Sequence, residues 1–336
     1  MKVRLRDLAE GLGLSVMAVS KALRDAPDIG AATKAKVHAE AQRLGYWPNE
    51  AARSLRVKQS GWVGFILPDL ASEEGALISG GLTEAAQEAG IAILLGLARS
   101  GKEEAEQVRA MIGRGAEAIF LLPRISTEHR SAALEVANRS SCPMIFLKRY
   151  PADVGLGSGR VSWVVRDMKG AADKVLDHLY DLGHRRVAYL GGHSAARSHA
   201  LHMQSVLEGV EKRGMTLVGG AQMVGLEPED AEKEMKKILG KKDAPTAVIC
   251  GTDTLSQGVF RACFRAGVEI PKGMSVTGVG DGELSRHGMV PLTTVRFPSL
   301  GKVGFALWKK MRDGAGGIQP EVVQGELVVR ESTGKA

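Results

Sequence analysis

Cysteine is scarce in this chain: Cys142, Cys250 and Cys263 are the only three among 336 residues. The number is odd and the spacing fits no metal-ligand pattern, so neither a disulfide framework nor a zinc module organises the fold. Each lies in an apolar run and reads as a reduced, buried thiol of a cytosolic protein. No uninterrupted apolar stretch reaches the ~18 residues of a membrane span, and the first residues form no basic-then-apolar leader. The expectation is a cytoplasmic chain, neither exported nor membrane-spanning. Catalytic constellations are also missing. No Ser/His/Asp or Cys/His motif context and no paired catalytic carboxylates occur, so an enzyme has no support. Gly155, Gly157 and Gly159 do not link a strand to a helix as a dinucleotide fingerprint requires. They read as a connection between lobes. His193, His199 and His202 lack a Cys or carboxylate at ligand spacing. No cofactor and no metal is expected.

What is present is ordinary in bulk and uneven in distribution. Hydrophobic residues make up 44% and charged residues 25%, as in a soluble globular protein. The length suits a small domain plus one or two larger ones. Net charge is +7, yet the first 60 residues alone carry eleven Lys and Arg against six Asp and Glu. A basic excess gathered in the first sixth of the chain is the footprint of phosphate binding.

That basic segment has a recognisable pattern. Leu5–Ala9 opens a short amphipathic helix, Gly11-Leu12-Gly13-Leu14 turns the chain, and Ser15–Leu23 reads as a second helix. Two short helices around a glycine-containing turn make a helix-turn-helix, whose second helix enters the major groove. Helical periodicity puts Met17, Ser20, Lys21 and Arg24 on one face and Val19, Ala22 and Leu23 on the other. A third helix over 31–44 closes a small core through Val37, Ala41 and Leu44 and stops at Gly45. Beyond Pro48, Asn49 is a good N-cap for a short helix in which Ala51, Ala52 and Leu55 form an apolar strip beside Arg53 and Arg56. Such a helix is too short to persist alone in water and needs a twin or DNA to pack against.

Residues 1–58 resemble the headpiece of the lactose-repressor (LacI/GalR-type) family of bacterial transcription regulators. The resemblance is carried by Leu14–Leu23, Leu44–Asn49 and Ala52-Arg53-Ser54-Leu55. It implies that Val16, Met17 and Lys21 read bases, that Ser15, Ser20, Tyr46 and Asn49 contact or position phosphates, and that Leu55 is a wedge inserted into the minor groove by paired hinge helices. Two positions depart from the family. Ala18 stands where Thr is usual, and Lys21 stands where Arg is favoured, which weakens bidentate guanine reading.

From Gly61 onward, apolar runs alternate with amphipathic stretches in two series. The first contains runs at 63–68, 91–95, 118–122 and 144–147, the second at 163–165, 187–190, 247–250 and 275–279. Helices are expected near 77–89, 102–114, 128–140, 169–182, 200–213, 229–239 and 254–267. The alternation implies α/β architecture with doubly wound parallel sheets, and two series suggest two lobes with a ligand cleft at the strands' carboxyl ends. Leu182–Gly192, Pro271–Gly278 and Pro291–Val295 resemble the same family and imply its two-lobed, periplasmic-binding-protein-like fold. The expected organisation is therefore an all-α headpiece (1–47), a hinge helix and linker (48–60) and an effector-binding and dimerisation domain (61–336). Its first lobe is expected at about 61–160 and 292–320, its second at about 161–290 and 321–331.

The resemblance also marks positions that would line an effector cleft, and most depart from the family pattern. Glu74 and Gly75 stand where an aromatic pair is common, Lys148 where an Asp is common, and His202 where an Arg is expected, with Arg197 near that position on a slip of register. Thr252 precedes Asp253 in place of Asn, and Gly280 precedes Asp281. Three readings stay open: an anionic effector held by Lys148, Arg149 and His202, an unused pocket, or a neutral ligand held by other residues. The overall expectation is a homodimeric, sequence-specific DNA-binding regulator, more in the manner of a repressor, on a palindromic operator, with small-molecule control in two of those three readings. The alternative is a solute-binding or sugar-processing protein of the same two-lobed fold.

Overall fold

The computed structural model describes residues 3–47, 60–124, 131–151, 154, 159–192, 197–314 and 319–336. It divides into two units, Met1–Ser60 and Gly61–Ala336. The first contains α1 (Leu5–Leu12), α2 (Val16–Ala22) and α3 (Ala31–Leu44). Local chemistry sets the limits of each helix. The Arg4 backbone N–H donates to the Asp7 carboxylate at 2.7 Å, which opens α1. Gly13 closes it in the left-handed region, φ 64°, where a residue with no Cβ is unstrained. The Ser15 hydroxyl accepts from the Ala18 N–H at 3.1 Å and starts α2. Leu8, Val19, Ala22 and Val37 are fully buried, and with Ala9 and Ala41 they make the buried core of this small unit among the described residues. The expected hinge helix falls on 48–59, outside the described residues.

The second unit begins with β1 (Trp62–Leu67), α4 (Glu73–Glu88), β2 (Ala92–Leu97), α5 (Gly101–Gly113), β3 (Ile119–Leu121), α6 (Ala132–Asn138), β4 (Met144–Leu147) and β5 (Val161–Arg166). It continues with α7 (Met168–Asp181), β6 (Arg186–Gly191), α8 (Arg197–Lys212), β7 (Thr216–Met223), α9 (Pro228–Leu239), β8 (Ala247–Cys250), α10 (Asp253–Arg265) and β9 (Ser275–Gly280). The last elements are α11 (Glu283–His287), β10 (Thr293–Arg296), α12 (Leu300–Arg312), β11 (Glu321–Val323) and β12 (Glu326–Val328). They form two six-stranded sheets, ordered β11-β5-β4-β3-β1-β2 and β12-β10-β9-β8-β6-β7. Pairing is parallel throughout except between β10 and β12. Helices cover both faces, which is why the central strands are unbroken apolar runs and not alternating ones. Phe120, for example, meets Phe305 and Trp308 from α12, with ring centroids 6.2 and 6.4 Å away.

The lobes are divided differently from the expectation. Val161–Arg166 pairs with β4 in the first sheet; it does not open the second. Thr293–Arg296 pairs with β9 in the second sheet, although 292–320 was expected in the first lobe. The chain then returns, because α12 packs its Phe305, Leu307 and Trp308 into the first lobe's core. Glu321–Val323 joins β5 in the first sheet, and only Glu326–Val328 goes back to the second. The physical reason is that a short apolar run carries the signal for a strand and none for its neighbour. The edge strand β7 was not expected. Gly219 and Gly220, at φ 81° and 73°, interrupt its pattern, and its pairing to β6 shifts register between Val187 and Tyr189.

The family-like stretch 182–192 gains a structural reason. His184 is buried, with Nδ1 2.8 Å from the Thr246 hydroxyl and Nε2 3.0 Å from both the Ser275 hydroxyl and the Gly334 carbonyl. One ring thus ties the start of β6 to β9 and to the C-terminal segment.

Candidate functional site

On α2 the two faces are physically distinct. Val19 and Ala22 have no exposure, whereas Met17 is 70% and Val16 44% exposed. A large apolar side chain held outward at the start of a short helix has no packing role among the described residues of its unit. Beside it, Arg24 is exposed and its Nε donates to the Ser20 carbonyl at 2.9 Å. Lys21 is paired through Nζ with the Asp28 carboxylate, and that bond, the largest cause, lowers the pKa of Asp28. Lys21 must exchange this partner to reach a base. Ser15 is engaged as the N-cap, so its hydroxyl serves the helix. Tyr46 is half-buried against the three-helix core, and burial raises its phenol pKa. Val16, Met17, Ser20, Lys21 and Arg24 therefore share one surface. Asn49, Ala52, Arg53 and Leu55 lie outside the described residues.

In the second unit, the ends of β1, β4 and β5 bring charges together. Ser72 caps α4 by accepting from the Gly75 N–H at 3.2 Å, which places Glu74 in the first turn. Gly75 is packed so closely that a Cβ would sit 2.4 Å from the Asp69 carbonyl, so no aromatic side chain fits at that position. Lys148 follows β4 with φ 66°, and its ammonium donates to Glu74. Arg166, at the end of β5, contributes a guanidinium nitrogen 2.9 Å from Glu74 Oε1 and lies over the Phe297 ring at 5.1 Å. Arg149 stands next to Lys148 and donates from Nε to the Pro123 carbonyl at 3.0 Å.

Although burial opposes ionisation, Arg166, Lys148 and Arg149 hold the Glu74 carboxyl at about 2. Burial pushes the Lys148 ammonium down to about 8 against the pull of Glu74, and Arg149 and Arg166 push the same way. The two shifts agree on one picture: a single carboxylate shared by more cations than it can neutralise.

The second lobe supplies a different set. His202 is fully buried, its Nδ1 3.3 Å from the Tyr189 hydroxyl. Burial lowers its pKa to about 4, so it is neutral and adds no positive charge, contrary to the expectation for an anion site. Thr252 caps α10 by accepting from the Leu255 N–H at 3.4 Å. Asp253 accepts from the Thr294 hydroxyl at 2.6 Å and from the backbone N–H groups of Asp281 and Gly282. Asp281 pairs with Arg330 and lies 3.4 Å from Arg286. Both carboxylates are buried and engaged in holding the β9–α11 turn.

Contacts also cross between the lobes. The Glu73 carboxylate fills the space where a Gly282 Cβ would stand and faces the N–H groups of Glu283 and Leu284, while burial, with Asp253 and Glu74 nearby, raises its pKa. Arg197 of α8 lies over the Tyr150 ring at 5.2 Å. Sequence reasoning missed Glu73, Arg166 and Tyr189. Only Arg166 carried a signal, as a basic residue ending a run of apolar strand residues.

Among known families, residues 4–49 match the bacterial regulatory proteins of the lacI family, and 176–333 match the periplasmic binding protein-like domain. The HTH-type transcriptional regulator AglR of Rhizobium meliloti (strain 1021) is 29% identical, covering 100% of this chain and 96% of its own length. Catabolite control protein A of Priestia megaterium is 25% identical over 92% of each chain. A solved lac repressor dimer, bound to operator and the anti-inducer ONPF, superposes with a TM-score of 0.85 at 21% identity, covering 99% of this chain and 100% of that one. A transcriptional regulator CelR–cellobiose complex gives 0.70 at 22% identity, covering 98% and 100%.

Proposed function

We infer that the chain belongs to the lacI family of bacterial regulatory proteins and, from that premise, that it is a cytoplasmic repressor that binds a palindromic operator as a homodimer under small-molecule control. It is a DNA-binding transcriptional regulator. The observation that carries the mechanism is the outward face of α2: Val16 and Met17 exposed beside Lys21 and Arg24, over a buried Val19 and Ala22. That face enters the major groove. Met17 and Val16 make apolar contact with base edges, Lys21 leaves Asp28 for a guanine acceptor, and Arg24 meets phosphate. Ser15, Ser20, Tyr46 and Asn49 position the backbone, and Leu55, flanked by Ala52 and Arg53, is the minor-groove wedge.

Dimerisation is supported by the first lobe. Leu94, Leu95 and Leu97 are 40–48% exposed on the edge strand β2, next to a groove lined by Thr83, Gln87, Ile91 and Ile93. An uncovered apolar edge strand invites pairing with another chain, and a second copy satisfies it while pairing two headpieces. The cleft between the lobes, with Glu74, Lys148, His202, Thr252, Asp253 and Asp281 on or behind its walls, is the effector site. Ligand binding there changes the lobes' closure and with it the hinge. The test is selection of bound DNA from a random pool by the purified full chain, repeated with candidate metabolites. Enrichment of one palindrome supports the reading, and an unenriched pool at moderate salt rejects it.

A further inference from the structure

Three cations gather on one side of the cleft, and a fourth lies across it. Lys148 and Arg166 converge on Glu74, Arg149 adjoins them, and Arg197 reaches from the opposite lobe onto Tyr150, two residues from Lys148. The carboxylates facing these cations are Glu74 and, beside Arg149, Glu104. Glu104 is already engaged, accepting from the Arg124 N–H at 2.8 Å. Glu73 faces the other way, towards Asp253 and the β9–α11 turn. The Arg166 side chain is only 11% exposed, and its Nε is buried with no hydrogen-bond partner among the described residues. A buried guanidinium donor left unused beside a shared carboxylate is a costly arrangement unless something completes it. The position lies at the carboxyl ends of two adjacent parallel strands, where open α/β sheets bind ligands.

We propose that the cleft takes a small molecule through an anionic group, carboxylate or phosphate, seated between Lys148 and Arg166, and that Glu74 is a built-in occupant of that seat which the ligand displaces. This deepens the effector-site reading and rests on it. The chemistry is specific. Arg166 presents a planar fork suited to two oxygens, and Lys148 a point charge suited to a third. Glu74, tethered on the first turn of α4, holds both in place until a free anion competes for them. Once displaced, its carboxylate lies beside Glu73, the residue that touches the other lobe, so ligand binding and lobe closure share one helix turn.

The experiment uses the full chain, thermal melts and isothermal titration, with inorganic phosphate and acetate as probes, glucose as the neutral control, and ionic strength held constant with sodium chloride. Wild type is expected to be stabilised saturably by at least one of the two anions and not by glucose; which one responds separates phosphate from carboxylate ligands. Glu74→Ala vacates the seat and is expected to bind that anion about tenfold more tightly, and adding Arg166→Met is expected to abolish the response. Should Glu74→Ala fail to fold, Glu74→Gln keeps the shape, removes the charge and carries the same expectation. Anion rescue of the Glu74 variants with no uptake by wild type would mean a structural ion pair only, and would overturn the proposal. So would stabilisation that survives Arg166→Met, or a response to glucose alone. The melt involves no DNA, so its outcome and that of the operator selection fail separately.

Discussion

Burial keeps the His202 ring neutral, and that has a sign. Its pKa in the fold is about 4, below the ordinary value near 6.5, so the unfolded chain takes up a proton first as pH falls. The stability it confers is complete above pH 6.5 and is lost as pH drops towards 4, about 3 kcal/mol in all by linkage. His178 and His184, both lowered by burial, act in the same direction. His202→Gln should therefore flatten the fall in unfolding free energy between pH 6.5 and 4 without abolishing it, as read by urea denaturation at several pH values. Glu74 acts lower down: its carboxylate contributes above pH 4.5, and the contribution disappears as pH falls to about 2. A second residue-scale expectation concerns Leu55. On the proposed wedge role, replacing it with Ala should lower both operator affinity and bend angle, affinity by about tenfold or more given the cost of losing a buried apolar insertion. An unchanged bend in a circular-permutation gel assay would reject the role.

Among the elements, α2 depends on a single hydroxyl. Ser15→Ala leaves an unsatisfied N–H at its first turn, which should cost about 1 kcal/mol of headpiece stability. In the second lobe α9 and α10 approach at one glycine. A Cβ on Gly258 would fall 1.9 Å from the Pro228 carbonyl, and Gly301 plays the matching part where α12 crosses α4, 2.3 Å from the Ile78 carbonyl. Gly258→Ala is expected to force the helices apart and lower stability by about 1–3 kcal/mol, visible as an earlier melt of the second lobe. The β9–α11 turn is held from three sides, by Asp253, Arg330 and Glu73, which makes it the natural receiver of any movement of α4.

For the molecule as a whole, two quantities follow from charge and surface. The basic first unit displaces counterions, so the logarithm of the operator association constant should fall linearly with the logarithm of salt, with a slope of about −0.9 for each phosphate neutralised. Filter binding across a salt series measures it, and a flat line would exclude phosphate contact by this unit. Assembly should hinge on the first lobe's leucine edge. Leu95→Arg places a charge where a second copy would pack, and sedimentation should show monomers with operator affinity reduced at equal protein concentration. A variant that remains dimeric would move the interface elsewhere.

The helix-turn-helix was legible because its information is local: Gly11-Leu12-Gly13-Leu14 as a turn, Gly45 as a stop, and a 3.6-residue alternation between Val19 and Met17. The parallel-sheet class was legible for the same reason, since fully buried strands are written as apolar runs. Strand neighbours were not. Val161–Arg166 and Thr293–Arg296 changed sheets because hydrogen-bonded edges are chosen by the whole chain's path. The cleft was half legible. Resemblance pointed to Glu74 and Lys148, but the pairing of the two, the arrival of Arg166 from the next strand and the silencing of His202 by burial depend on dielectric and distance. Those exist only once residues remote in sequence have been packed together.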